Sequence, residues 1–146
     1  MALDATRHCL TGCAIGEVLG LAIGSVFALS NPVTIALSVV LAFVFGYSLT
    51  FVPLLQAGMS LAPAAGITAA ADTLSITVME IVDNAVVLVI PGAMDAGLAD
   101  PLFWGSLALS LVLAFVAAYP VNVWLIGRGR GHVVAMRHGR HGPHPA

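Results

Sequence analysis

No lysine or arginine occurs between His8 and Gly127 of this chain. Hydrophobic residues make up 60% of the sequence and charged residues only 8%, whereas soluble domains carry about 25% charged residues. The composition therefore excludes a water-soluble globule, and five arginines are too few for a nucleic-acid-binding surface. A helix needs about 20 apolar residues to cross a bilayer. The sequence predicts an all-α fold, an integral membrane four-helix bundle formed by a single domain over residues 1–146.

Turn-forming residues divide the apolar sequence into four predicted spans. Ser30-Asn31-Pro32 and Pro91-Gly92 end the first and third stretches because Pro and Gly interrupt helices, and Pro101 suits the first turn of the fourth helix. The predicted spans cover approximately residues 8–29, 33–55, 65–90 and 101–126, and a flexible tail rich in His and Arg follows over 127–146.

The positions of the arginines predict the orientation. Arg7 precedes the first span, and the other four arginines follow the fourth. Because basic residues flank the cytoplasmic ends of membrane helices, both termini are expected in the cytoplasm, which requires an even number of spans. We therefore expect a multi-pass protein of the cell inner (plasma) membrane, surrounded by the lipid bilayer.

Four of the seven acidic residues fall within the predicted spans. They are Glu17, Asp72, Glu80 and Asp83. An ionised carboxyl near the bilayer centre costs about 2.5–3.5 kcal/mol even on insertion scales. At about 100° per residue, Asp72, Glu80 and Asp83 share one face of the third helix with Met79. Acids inside a membrane are usually functional, so these are the main candidate site residues.

The first span carries two stripes of functional interest. Cys9, Cys13 and Glu17 are spaced i, i+4, i+8 and so lie on one helix face, with His8 beside the first thiol. The second stripe consists of small residues that let another helix backbone approach closely: Gly12, Gly16, Gly20 and Gly24. We expect the first stripe to face the acids of the third helix and the glycines to serve helix packing.

Thiol, imidazole, thioether and carboxyl groups together favour a transition metal such as copper, zinc or iron. The predicted metal ligands are His8, Cys9, Cys13, Glu17, Asp72, Met79, Glu80 and Asp83. The preferred function is binding or transport of a transition-metal cation. Two alternatives remain: a proton-coupled transporter, because clustered carboxyls titrate together, and an accessory or structural subunit, or an assembly factor, of a larger membrane complex. As structural groups, the cysteines would be ordinary apolar residues and the carboxyls interhelical hydrogen-bonding groups.

The remaining sequence gives no enzyme motif but predicts an oligomeric partner. A Gly-rich phosphate loop and a zinc-protease motif are both missing, so we expect no enzyme and no catalytic residues. Four spans rarely enclose a pathway alone, and we expect a homo-oligomer formed through the glycine stripe.

Asn122 follows Pro120 and can hydrogen-bond the backbone that the proline frees. Four tail histidines can chelate metal or form a solvated low-complexity end: His132, His138, His141 and His144.

Three segments carry a resemblance to a known family. They are His8-Cys9-Leu10-Thr11-Gly12-Cys13-Ala14-Ile15-Gly16-Glu17, Ala71-Asp72-Thr73-Leu74-Ser75 and Met79-Glu80-Ile81-Val82-Asp83-Asn84. Together they resemble the small bacterial membrane family called domain of unknown function 4396, over nearly the whole chain. The resemblance implies a membrane protein without an agreed activity, and it places the family's motifs on the polar residues selected above.

Overall fold

The computed structural model describes residues 2–128, and this part of the chain is built from four long α-helices. In chain order they are α1 (Ala2–Val26), α2 (Asn31–Gln56), α3 (Leu61–Val89) and α4 (Pro101–Gly127), with a short 3-10 helix, Ala93–Asp95, before α4. Residues 2–128 contain no strand, which confirms the all-α four-helix prediction. The predicted tail lies outside the described residues from position 129 onward.

The helix ends differ from the predicted spans where polar or turn-forming residues are compatible with helix. α1 begins at Ala2, well before the predicted start at His8, because Asp4 in the first turn is favourable at a helix N-terminus. α3 begins at Leu61 and includes Pro63, since proline is tolerated in the first turn. At the start of α4 the Asp100 side chain accepts a hydrogen bond of 2.9 Å from the Leu102 amide.

Three of the four helices are long and apolar enough to cross a membrane: α1, α2 and α4. The third helix is as long, at 29 residues, but three of its residues are acidic. It packs against the other three helices, and Asp72, Glu80 and Asp83 are all buried there. The apolar helices indicate a membrane protein, and the packing of α3 directs its acids into the bundle.

The glycine stripe of α1 packs against α2 of the same chain. A Cβ atom added at Gly12 would lie 2.5 Å from the Cα atom of Gly46, and one added at Gly24 would lie 2.5 Å from the Thr34 side chain. Gly16 and Gly20 face Ala42 and Ser38 in the same way. The close approach predicted from the glycines is therefore made within one chain. The face expected to contact a second copy is occupied by α2, and the homo-oligomer itself stays a prediction.

Small and flexible side chains fill the centre of the bundle. Ile76 and Met79 of α3 are fully buried, and they pack with Ala42, Ala114 and Ala118 from α2 and α4. The two cysteines of α1 belong to the same apolar cluster. This packing brings one face each of α1, α3 and α4 together. The polar residues of these faces meet on both sides of the apolar cluster, toward either end of the bundle.

Candidate functional site

One polar cluster lies toward the end of the bundle where the chain begins; we call it the Asn122 cluster, made of Thr6, Cys9, Asp72, Ser75 and Asn122. The Asn122 amide donates hydrogen bonds to Thr6 Oγ1, at 3.0 Å, and to Ser75 Oγ, at 2.9 Å. The Cys9 thiol donates to Asp72 Oδ1 at 3.8 Å. All five residues are buried, and their bonds tie α1, α3 and α4 together.

His8 lies at the edge of this cluster and is directed toward α2. Its Nε2 atom is 3.4 Å from Thr50 Oγ1, and the ring is half-buried. The sequence placed His8 with Cys9 as a metal ligand. The imidazole contacts the hydroxyl of Thr50, which was not among the predicted site residues.

A second polar cluster lies farther along the helices; we call it the Glu17 cluster, made of Cys13, Glu17, Glu80, Asp83 and Ser110. Glu17 is close enough to Asp83 and Glu80 to interact electrostatically with both. The Cys13 thiol faces the Glu80 carboxyl. On the α4 side the Ser110 hydroxyl donates a short hydrogen bond to Asp83 Oδ1 and is also 2.8 Å from the Leu107 carbonyl.

Two carboxyl oxygens in the Glu17 cluster are buried without a hydrogen-bond partner among the described residues. They are Glu17 Oε2 and Asp83 Oδ2, on side chains that are each only 3% exposed. Glu80 differs, because the Asn84 amide lies 3.4 Å from its Oε2 atom. Buried polar atoms are nearly always bonded, so the two oxygens are the acceptors of this site whose hydrogen-bonding capacity is unused among the described residues.

The two clusters are separated by the apolar layer of Ile76 and Met79 and connected along α1 by the thiols. Met79, a predicted metal ligand, is 0% exposed and packs in this layer. Cys9 faces Asp72 on one side, and Cys13 faces Glu80 on the other. The two thiols are also close enough to interact electrostatically with each other.

The predicted metal ligands therefore form two groups. Cys9 and Asp72 lie in the Asn122 cluster, whereas Cys13, Glu17, Glu80 and Asp83 lie in the Glu17 cluster. Within residues 2–128, no three or more His, Cys, Asp or Glu side chains are arranged to hold a metal ion. No cationic Lys or Arg side chain from the spans can neutralise these carboxyls, since neither residue occurs between His8 and Gly127.

Thr6 and Ser110, which supply hydroxyl partners in the two clusters, were not among the predicted site residues. Asn122 was expected to bond the backbone freed by Pro120, but its amide binds Thr6 and Ser75 instead. Ser110 was overlooked although its hydroxyl contacts Asp83. A lone Ser or Asn in an apolar helix gives a weak signal because such residues often bond their own backbone. Their burial becomes evident only when the helices are packed.

One protein-family model matches residues 1–131 of the chain, and its description is "Domain of unknown function (DUF4396)". This match confirms the family that the three sequence segments resemble. No curated protein and no solved structure matches the chain.

Proposed function

Because the chain belongs to the DUF4396 family, whose description names no activity, we propose a function from the site itself: transport of protons across the membrane, in which the Glu17 cluster takes up and releases the proton. The single observation that carries this proposal is the pair of facing carboxyls, Glu17 and Asp83. Each is 3% exposed, and each has one buried oxygen without a hydrogen-bond partner among residues 2–128.

Facing carboxyls in a dry interior need a cation between them. Like charges at close range cannot all be ionised in a low dielectric, so such groups share protons. Glu80 lies beside the pair and adds a third carboxyl. A proton is the cation that requires no sphere of several ligands. It is therefore the cation that best suits a site where no group of three or more metal-binding side chains is found within residues 2–128.

Further protonatable groups continue from this cluster toward the other end of the bundle. Cys13 faces Glu80, Cys9 interacts with Cys13, and Asp72 accepts a hydrogen bond from Cys9. Groups in such a row titrate as a coupled set, and rotation of each side chain moves a proton by one step. The row spans about two helical turns of α1, or about 11 Å at the rise of an α-helix.

The test is proton flux into liposomes that contain the purified protein and a trapped pH-sensitive dye. An imposed pH gradient should collapse faster than in protein-free liposomes. Glu17→Gln and Asp83→Asn keep the shape of each side chain but remove the exchangeable carboxyl proton, and each should return the rate to that of protein-free liposomes. Asp95→Asn is the matched control, because Asp95 is exposed in the 3-10 helix and its loss should leave the rate unchanged.

Circular dichroism and gel filtration in detergent show whether each variant is folded. Flux that stays at the wild-type rate in folded Glu17→Gln and Asp83→Asn would contradict the role of the Glu17 cluster. A wild-type rate equal to that of protein-free liposomes would contradict proton transport itself.

Binding or transport of a transition metal is the second candidate, and a specific observation favours it. The thiol of Cys13 interacts with the carboxyls of Glu80 and Asp83, and Glu17 interacts with the same two carboxyls. Glu17 and Asp83 each have one oxygen without a partner among the described residues. Thiolate and carboxylate together suit Zn²⁺, and thiolate suits Cu⁺. A metal would need the four side chains to rotate toward one point.

Elemental analysis of the purified protein tests this candidate. A bound metal should be present in the wild type at a constant ratio to protein and should be lost in a Cys9→Ala/Cys13→Ala double variant and in a Glu17→Gln/Glu80→Gln double variant. If the wild type, incubated with Zn²⁺ or Cu⁺ and dialysed, retains no more metal than these folded variants, the metal candidate fails.

A further inference from the structure

The two tryptophans of the chain lie near opposite ends of α4. Trp104 and Trp124 are its only tryptophans, and their side chains are half-exposed, at 50% and 49%. Their separation along the helix is about 30 Å, at about 1.5 Å per residue. The hydrocarbon core of a bilayer is also about 30 Å thick, and a helix tilt of about 20° would shorten the distance along the membrane normal only to about 28 Å. The spacing of the two indoles therefore matches the thickness of a bilayer.

Each indole has a polar partner on the side away from the middle of α4. Trp104 Nε1 donates a hydrogen bond of 2.8 Å to the Leu98 carbonyl, in the loop before the helix. The Arg128 guanidinium, one turn beyond Trp124, lies 4.8 Å from the centroid of the Trp124 ring. Rings that combine an apolar body with a polar partner are enriched at the headgroup level of membranes.

The outer surface of α4 between the tryptophans is apolar, whereas the exposed charges lie elsewhere. Its exposed large side chains are Leu109, Val112, Leu113, Val116, Tyr119 and Val123. Within residues 2–128, the exposed charged side chains are those of Asp4, Arg7, Asp95, Asp100 and Arg128. Asp95 and Asp100 precede Trp104 along the chain, and Arg128 follows Trp124. These three charges therefore lie outside the interval that the tryptophans mark.

The two charged residues of α1 lie close to the same boundary. Asn122 precedes Trp124 by two residues, or about 3 Å, and its amide is bonded to Thr6 of α1. Asp4 lies two residues nearer the end of α1 than Thr6, and so at about the level of Trp124. Arg7 lies about 5 Å inside that level, but helical side chains point back toward the N-terminus, and the long stem of arginine brings its charge to the boundary.

We infer that Trp104 and Trp124 hold α4 at the two headgroup regions of a phospholipid bilayer. The Asn122 cluster then lies at one membrane surface, because Asn122 is only about 3 Å from the level of Trp124. Ser110 lies about 9 Å from Trp104 and about 21 Å from Trp124 along α4. The Glu17 cluster therefore lies in the hydrocarbon, beyond the middle of the bilayer as seen from the Asn122 cluster.

These depths do not depend on what the protein transports. A second conclusion rests on the proposed function: the row of protonatable groups begins at one membrane surface, at Asp72, and ends about 9 Å short of the other.

Fluorescence quenching by brominated lipid tests the placement. Trp104→Phe and Trp124→Phe each leave one tryptophan, and bromine quenches an indole that it contacts. The variants are reconstituted in phosphatidylcholine that carries bromine either near the headgroup or near the ends of the acyl chains. Each variant should lose more fluorescence in the first lipid than in the second. Leu113→Trp in the Trp104→Phe/Trp124→Phe background is the matched control. Leu113 is 41% exposed and about 14 Å from Trp104 along α4, so this control should show the opposite order.

Two further substitutions in the same double-Phe background measure the depths of the clusters. Val123→Trp reports on the level of Asn122, and Leu109→Trp reports on the level of Ser110, since each is the exposed neighbour of that residue, at 47% and 48%. Val123→Trp should be quenched more by bromine near the headgroup, and Leu109→Trp more by bromine near the chain ends. The reverse order for Leu109→Trp would overturn the depth of the Glu17 cluster.

Stronger quenching of either native tryptophan by bromine near the chain ends, or no quenching in either lipid, would overturn the placement. If a variant does not fold, the wild type decides, because both of its tryptophans should be quenched more by bromine near the headgroup. Quenching in that order together with no proton flux would keep the placement and reject proton transport. Proton flux together with the opposite order would keep proton transport and reject the placement.

Discussion

Replacing Gly16 by alanine should destabilise the bundle, even though alanine is the better helix former. A Cβ atom at this position would meet the backbone of α2, including the Leu41 carbonyl carbon at 2.6 Å. Carbon atoms need about 3.5–4.0 Å, so the two helices must separate by about 1 Å at this point. A gap of this size removes a quarter to a half of the attraction between the atoms it separates.

The size of the effect follows from two opposing terms. Overpacking a tight contact costs about 1–3 kcal/mol, and replacing glycine by alanine inside a helix returns about 0.5–1 kcal/mol. Gly16→Ala should therefore lose about 1 kcal/mol, and at most about 2.5 kcal/mol, of the free energy of unfolding; a loss of about 1 kcal/mol is about 5-fold in the folding equilibrium. Gly105→Ala is the matched control in α4, because nothing lies within 4 Å of its added Cβ atom. It should therefore be more stable than the wild type by the about 0.5–1 kcal/mol that alanine gains over glycine in a helix.

Unfolding of both variants in mixed detergent and sodium dodecyl sulfate, followed by circular dichroism, measures these differences. The decisive result is the sign of the change in stability, because both substitutions replace glycine by alanine and differ only in the atoms that surround them. If Gly16→Ala is as stable as the wild type or gains as much as Gly105→Ala, the close contact between α1 and α2 is wrong.

Three other substitutions should give graded losses in the same unfolding assay. Gly46→Ala should cost less than Gly16→Ala, because its added Cβ meets only the end of the Ile76 side chain, which can shift without separating two helix backbones; an equal or larger loss would contradict this. Asn122→Ala removes two interhelical hydrogen bonds and should lose about 1–2 kcal/mol, at about 0.6 kcal/mol or more for each bond in a membrane protein; an unchanged midpoint would argue against the Asn122 cluster. Asp100→Ala removes the cap of α4 and should lose about 1 kcal/mol, whereas Asp100→Ser should retain most of the stability.

The helices could be predicted from sequence because a membrane imposes one dominant rule, that long apolar stretches form helices. The helix ends were less predictable. Pro63 falls between the second and third predicted spans, but α3 includes it. Amides in the first turn of a helix have no hydrogen-bond partner within the helix, so a proline there costs no hydrogen bond. Helical periodicity also placed Glu80 and Asp83 on one face correctly, since both are buried in the bundle.

The exact partition of the site, with Cys13 beside Glu80 instead of in the layer of Cys9 and Asp72, could not be predicted, because it depends on how the helices are aligned along their axes. Helical spacing shows which residues of one helix share a face, but not which residue of the next helix lies opposite. The Cys9 thiol meets Asp72, and Cys13 meets Glu80, with the apolar side chains of Ile76 and Met79 in the layer between. A list of polar residues on each helix face makes these residues look like one site.

Met79 gives a final prediction, which separates the two candidate functions. Met79→Leu conserves volume in the apolar layer and should cost less than about 1.5 kcal/mol, but it removes the thioether. If the protein handles protons, flux into liposomes should be unchanged, because a thioether neither binds nor releases a proton at neutral pH. If a soft metal passes between the two clusters, the thioether lies on its way as a ligand for Cu⁺, and Met79→Leu should reduce Cu⁺ retention while the protein stays folded. Loss of proton flux in folded Met79→Leu would contradict the proton argument, since the variant retains every protonatable group.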